Sequence, residues 1–306
     1  MRYNKPATTI QQQIGLLAFR GMAWSDPDLV ERWLRTVGYY RLSAYWLPYE
    51  VAPPAGATRS KRFKPGTTFE NVVDIYIFDR KLRLLVMEAI ERIEINLRSR
   101  WTNRLSLRFG PHAHLDISVA KSGWEHAELV GTLAKRVGQS SEVFVEHYKN
   151  KYTDPYMPPL WAVTELMTFG ELSKWFKATK DLKIGSEVAK DLGMPSREIF
   201  ESVVQVISYI RNICAHHGRL WNRKTVKRIP HIKKFKSDLV IDVIANQSQP
   251  SNLIYNALVV LTYLMRHQSS ETTFPQRLRE LVETRTDDQR RAMGFPDDWR
   301  TRPVWA

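Results

Sequence analysis

The sequence predicts a mainly α-helical protein. Most segments place apolar residues at helical spacing and follow side chains typical of helix N-termini, whereas alternating strand patterns bounded by hairpin turns are scarce. The 306 residues are 43% hydrophobic and 11% aromatic, which is enough to bury a large core. This composition excludes wholesale disorder.

Two short helices are predicted near the N-terminus. Thr9 and Gln12 have the spacing of a capping box, and Gly21 closes the helix that they open. A second helix begins after Asp26 and ends at Gly38. Both helices are short enough to need packing partners.

An aromatic segment and a basic segment follow. Residues 39–46 are expected to pack into the core rather than stack on nucleobases, and Pro48 stops them. Residues 51–66 are rich in proline, glycine and alanine and contain no acidic residue, which predicts a basic loop that binds RNA. The basic residues of this loop are Arg59, Lys61, Arg62 and Lys64.

One long helix is predicted next, beginning at a capping box of Thr67 and Glu70 and running to about Leu105. Another helix begins after Ser196. The other predicted helices cover residues 122–137, 141–152, 160–168, 171–178 and 252–265.

Three regions are expected: an N-terminal region with the basic loop at 1–66, a helical core at 67–270, and a C-terminal helix and tail at 271–306. The aromatic residues of the tail are expected to pin it to the core. The single cysteine, Cys214, excludes a disulfide scaffold and a cysteine zinc site. Because no apolar run is long enough to cross a bilayer, we expect a cytoplasmic protein without membrane contact.

The positive net charge predicts a polyanionic partner, and it favours nucleic acid over a membrane surface. The formal net charge is +14, and residues 202–237 contain no aspartate or glutamate. Trp221, His231 and Phe235 lie among the basic residues as candidate stacking rings. The basic residues expected to bind RNA here are Arg219, Arg223, Lys224, Lys227, Arg228, Lys233, Lys234 and Lys236.

The helix that follows Ser196 has two distinct faces on a helical wheel. Apolar residues from Val203 to Cys214 form one stripe, and Arg211, Asn212 and His216 lie opposite it without any carboxylate. Such a face is typical of an anion site.

His217 lies inside the apolar stripe on the same wheel, which favours His216 as the chemically active histidine and gives His217 a supporting role. Gly218 can end the helix, so the alternative assignment stays open. Glu94 and Arg98 lie four residues apart on the long helix. They either line or brace the cleft at Arg211 and His216 or form an ordinary ion pair.

Residues 211–216 fit the R-x4-H signature of the HEPN superfamily of helical ribonucleases, and His217 permits an R-x5-H register. Other segments resemble the AbiD/AbiF-like branch of abortive-infection proteins. These segments are Lys5-Pro6 and residues 38–42, 78–83, 93–95, 159–161, 169–170, 215–222 and 294–296. The resemblance is weak near 112–155 and 177–195.

The resemblance implies a HEPN-like helical bundle, metal-independent RNA cleavage, homodimerisation and a toxin role in phage defence, sometimes restrained by a small antitoxin RNA. Arg211 and His216 would be the catalytic pair, with Asn212 as their neighbour. No cofactor is implied.

RNA supplies its own nucleophile, the 2′-hydroxyl, which makes this chemistry reasonable without a metal. A histidine can move a proton near neutral pH, and an arginine can stabilise the extra charge of the transition state. Because each chain has one motif, a two-fold dimer would supply the second acid–base group. The expected product is a 2′,3′-cyclic phosphate.

Three other interpretations are open. His112, His114 and Asp116 alternate like the ligands of a metallo-hydrolase. A non-catalytic RNA-binding module would need Arg211 and the lysines but not His216. A DNA-binding regulator would use residues 1–66, although duplex DNA is not the expected partner.

Overall fold

A computed structural model describes residues 2, 6–53, 55–56, 59–244 and 246–305. These residues contain thirteen α-helices, short 3-10 turns and one two-stranded sheet, which confirms the mainly α-helical prediction. Two compact units, 1–81 and 82–306, divide the chain. Lys5, in the first segment of the family resemblance, lies outside the described residues.

The elements follow one another along the chain with short connections. The helices are α1 (Ile10–Phe19), α2 (Pro27–Thr36), α3 (Tyr39–Trp46), α4 (Phe69–Phe109), α5 (Gly123–Gln139), α6 (Val143–Lys151), α7 (Leu160–Val163), α8 (Phe169–Ala178), α9 (Leu182–Asp191), α10 (Arg197–Ala215), α11 (Ile254–Gln268), α12 (Phe274–Glu283) and α13 (Asp287–Ala292). Strands β1 (Ile241–Ile244) and β2 (Gln247–Pro250) pair in antiparallel fashion.

The first unit confirms the local predictions for its helices. Thr9 and Gln12 form both hydrogen bonds of the capping box of α1, and the Asp26 side chain caps α2. Helix α3 buries Tyr45 and Trp46 in the core, as expected, whereas Tyr40 of the same segment is 92% exposed. The Trp46 ring lies edge-on to Phe63, with 6.2 Å between ring centroids.

The start of α4 differs from the prediction by one residue. Thr68 and Asn71 form the reciprocal cap, with N–O distances of 3.2 Å in both directions. The Glu70 carboxylate instead accepts hydrogen bonds from the backbone N–H and hydroxyl of Ser25. The predicted Thr67–Glu70 box is therefore wrong, because a tertiary contact takes the carboxylate away. Helix α4 also continues to Phe109, beyond the predicted end at Leu105.

The second unit is built around α10, which packs against α8, α9 and α11. Helix α9 and the β1–β2 hairpin were not predicted. The segment predicted as one helix at 160–168 forms only the short α7 and a 3-10 turn. Among the described residues, no helix combines the length and apolarity needed to cross a bilayer.

The C-terminal region contains two helices, α12 and α13, where one was predicted. Phe295, Trp299 and Trp305 form a ring cluster with Tyr255 of α11. The indole N–H of Trp305 donates to the Tyr255 hydroxyl at 3.2 Å. The aromatic residues therefore pin the tail to the core, as predicted.

Candidate functional site

Helix α10 has one apolar face and one polar face. The Ser196 hydroxyl caps its first turn by accepting from the Ile199 backbone N–H at 3.3 Å. The apolar stripe is buried, and Val203, Ile207 and Ile210 within it are completely so. Because that stripe faces the core, Arg211, Asn212 and His216 are left on the partly or fully exposed side.

The C-terminus of α10 decides where the two histidines lie. His216 is the cap residue, and His217 takes a left-handed conformation with φ of 56°. The N–H of Gly218 donates to the Ile213 carbonyl at 2.8 Å, and the N–H of His217 donates to the Cys214 carbonyl at 3.0 Å. These two bonds form a Schellman motif, which ends the helix.

The prediction that His217 lies in the apolar stripe is therefore wrong. The helix stops before His217, so the helical wheel no longer applies, and both histidines are exposed. Arg219 likewise lies beyond the helix. His216 is not sealed in the interior, which leaves it available for chemistry.

The Arg211 side chain of α10 lies near Glu94 of α4. Its Nη1 donates to the Asn212 side-chain oxygen at 3.5 Å, and its Nε lies 4.0 Å from a carboxylate oxygen of Glu94. The Arg211 side chain retains 32% of its exposure. The guanidinium is thus loosely held at the edge of the site.

Glu94 and Arg98 form the ion pair that their spacing predicts, and Glu94 also lies beside Arg211. Arg98 Nη2 lies 2.9 Å from Glu94 and also donates to the Met167 carbonyl at 3.0 Å. Arg98 Nη1 lies 3.3 Å from Glu165. Burial raises the pKa of the Glu94 carboxyl, against the opposing influence of Arg98 and Arg211.

Part of the acid-free segment 202–237 is used for structure. Arg228 donates to the Pro250 carbonyl at 2.7 Å and lies 3.5 Å from Asp242, which is outside the acid-free run. Arg223 donates to the Arg219 carbonyl at 3.3 Å. The side chains of the following lysines are exposed: Lys224, Lys227, Lys233, Lys234 and Lys236.

Two of the three expected stacking rings are unavailable to nucleobases. Trp221 is 2% exposed and Phe235 is 1% exposed, and Phe235 stacks on Tyr263 with 3.9 Å between ring centroids. That prediction is wrong for both residues, because the core takes the largest apolar surfaces along this segment. His231 is exposed.

The basic loop of the first unit is also partly engaged. Arg59 forms an ion pair with Glu50, and Lys64 donates to the Pro48 carbonyl at 2.9 Å. Lys61 and Arg62 have exposed side chains.

The His112–Asp116 alternation does not form a converging ligand set. Asp116 accepts from the Ser118 N–H at 2.8 Å, and His114 is completely buried, with neither ring nitrogen hydrogen-bonded to a described residue. Burial lowers the pKa of His114 to about 4. Within the described ranges, no three histidine, cysteine or acidic residues are placed to hold a metal ion together.

The fold and site define a helical protein that presents an arginine, an amide and an imidazole at one helix end, beside a partly buried carboxylate. Residues 32–222, more than half of the chain, match the family model of the Abi-like proteins. The chain therefore belongs to this abortive-infection family. The match contains Glu94, Arg98, Arg211 and both histidines, and it ends at Asn222. No curated protein and no solved structure matches the chain.

Proposed function

We propose that the protein is a metal-independent endoribonuclease of the HEPN type, of the AbiD/AbiF-like branch, that acts as a toxin in abortive infection. The observation that carries the proposal is the placement of Arg211, Asn212 and the cap residue His216 on the partly or fully exposed side of α10, with the apolar stripe behind them. Membership of the Abi-like family supports the defence role.

Each residue has a separate task in this proposal. The His216 imidazole accepts the proton of the 2′-hydroxyl or donates one to the leaving 5′-oxygen. Arg211 binds the scissile phosphate, and its permanent charge stabilises the additional negative charge of the transition state. Asn212 orients the Arg211 guanidinium, to which its side-chain oxygen is hydrogen-bonded at 3.5 Å.

Cyclising cleavage uses both a base and an acid, and one chain carries one motif. We therefore propose a homodimer in which two α10 helices face one another, each contributing a histidine. The exposed lysines of segment 202–237 would hold the RNA backbone, and a small structured RNA would restrain the toxin.

A second candidate is a non-catalytic RNA-binding module. The exposed lysines beyond α10 favour it, because phosphate binding needs their charge and no imidazole. It differs from the nuclease proposal in its prediction for His216.

The test compares RNA cleavage by the wild-type protein and by His216→Ala in the presence of a chelator. The nuclease proposal predicts a 2′,3′-cyclic phosphate product and a rate about 10²- to 10⁴-fold lower in the variant, with RNA binding retained. His147→Ala is the matched control, since His147 is also exposed but lies on α6 and is not among the candidate RNA-binding residues. Equal cleavage by both variants, or loss of wild-type cleavage on chelation, contradicts the proposal.

RNA that co-purifies with His216→Ala from cells tests the partner. One abundant structured species is the expected result for a restraining RNA. Random fragments alone would contradict a dedicated RNA partner and would leave the cleavage experiment to decide the enzymatic proposal.

A further inference from the structure

An open groove, which we call the α4–α7 groove, is lined by residues of α4 and by Trp161, Thr164 and Glu165 of α7 and the 3-10 turn that follows it. Its cavity volume is about 590 Å³, within the range of roughly 300–1,000 Å³ typical of small-molecule sites. Ile95, Leu107 and Trp161 supply apolar surface at its walls. The Trp161 side chain is more than half exposed, at 54%.

Neutral polar groups line the same groove. Ser99 and Asn103 lie on the exposed side of α4, and neither side chain is hydrogen-bonded to a described residue. In the wall, Ser106 Oγ and Arg98 Nε are buried without a hydrogen-bond partner in the described part of the chain. Buried polar groups are rarely left unpaired, so this wall suits a ligand that brings its own donors and acceptors.

The charges at the end of the groove do not favour an anion, because one arginine faces two carboxylates. Arg98 pairs with Glu94 and Glu165, at 2.9 and 3.3 Å. An anion would meet Glu165 together with Arg98, and it would gain little from the site. A flat, uncharged ring with polar edges matches the exposed indole and the neutral side chains better.

The Glu94 carboxylate lies between Arg98, which lines the groove, and Arg211, the candidate catalytic arginine. Glu94 contacts Arg98 with one oxygen at 2.9 Å and approaches Arg211 with the other at 4.0 Å. A nucleotide whose phosphate is held by Arg211 therefore has this groove as the neighbouring site for a base.

We propose that the α4–α7 groove binds an unpaired nucleobase of the RNA close to the scissile phosphate, with Trp161 as its stacking surface. This inference rests on the proposed function for the identity of the ligand. The groove would select unpaired RNA, because a base within a duplex does not expose its face.

The test measures binding of fluorescently labelled single-stranded RNA to His216→Ala, so that cleavage is not required. Adding Trp161→Ala should weaken binding about 5- to 150-fold, the range for loss of one base–aromatic stack. Ser99→Trp, which fills the groove from an exposed position, should weaken binding similarly and does not depend on Trp161. A strand of the same length without bases should bind the parent and both variants equally.

Trp124→Ala is the matched control, because Trp124 is 90% exposed on α5 and does not line the groove. It should leave RNA affinity unchanged. Equal affinity of the Trp161→Ala, Ser99→Trp and Trp124→Ala proteins overturns the inference. So does a change in oligomeric state with RNA affinity unchanged, since the groove would then be covered by a second copy.

The two proposals fail in different ways. If the wild-type protein does not cleave RNA but base binding depends on Trp161, the nuclease proposal fails and the groove assignment holds. If the wild-type protein cleaves and Trp161→Ala binds normally, the groove assignment fails alone.

Discussion

Helix α10 carries one arginine near each end, and the two have opposite environments. Arg197 is 2% exposed, and its Nε lies 2.6 Å from Glu201. Its Nη1 donates to the Asp181 carbonyl at 3.0 Å, and its Nη2 reaches three further carbonyls around the end of α8. Gly185 of α9 lies against it, and a Cβ there would come within 2.4 Å of Arg197 Cδ.

Arg211 makes two looser contacts, at 3.5 Å with Asn212 and 4.0 Å with Glu94. The comparison shows how one residue type serves two purposes. An arginine whose donors are used by a carboxylate and by carbonyls holds helices together, whereas an arginine at a rim retains donors for a ligand.

The largest expected effect separates these two arginines by stability. Arg197→Met should lower the free energy of unfolding by about 3–5 kcal/mol, because several buried carbonyls lose their donor and Glu201 keeps only the more distant Lys121, at 3.6 Å. Arg211→Met should change it by only about 0.5 kcal/mol. Urea denaturation of both variants measures the difference, and equal losses would show that Arg211 is also structural.

Two histidines show the same contrast, because His114 is buried and His216 is exposed. The pKa of about 4 for folded His114 lies below the ordinary value of 6.5, so the unfolded chain binds more protons between these values. Stability should therefore fall as the pH drops from about 6.5 to about 4, by up to roughly 3 kcal/mol.

His114→Phe should remove this part of the pH dependence, as measured by urea denaturation at several pH values. His216→Ala, which keeps the buried His114, should still lose stability as the pH falls through this range. A wild-type slope in His114→Phe would contradict the account.

A smaller effect is expected at Glu94, the carboxylate beside Arg211. Burial raises its pKa in the folded protein, so the folded chain binds more protons, and stability is lost as the pH rises through this range. Glu94→Gln should therefore be at least as stable as the wild type at pH 7.

Any gain in stability from Glu94→Gln should shrink as the pH falls and Glu94 itself becomes protonated. Thermal unfolding at pH 7 and at acidic pH measures the change. Marked destabilisation by Glu94→Gln at pH 7 would mean that attraction by Arg98 and Arg211 outweighs the cost of burial.

The smallest effect concerns the end of α10. His217 has a left-handed backbone, φ 56°, which glycine adopts more readily. His217→Gly should raise the free energy of unfolding by about 0.5 kcal/mol. If His216 is the active histidine, the His217→Gly protein cleaves RNA at the wild-type rate. Loss of cleavage in this variant would instead assign the R-x5-H register, with His217 as the active histidine.

Local signals were sufficient where neighbouring residues decide the structure. The Thr9–Gln12 cap, the start of α10 at Ser196 and its buried stripe were all predicted, because each depends on side chains within one or two turns. The Thr67–Glu70 box failed because Ser25, far away in sequence, binds Glu70. The predicted stacking roles of Trp221 and Phe235 were wrong because their burial depends on which residues pack over them.

The sequence by itself determined the helical class, the Abi-like motifs and the polar face of α10, since periodicity and caps are short-range properties. Only the tertiary structure decided that Glu94 lies beside Arg211, that Arg98 closes one end of an open groove, and that the helix stops before His217. These features join residues from separate helices or depend on one backbone turn, and neither is set by the spacing of residues along a helix.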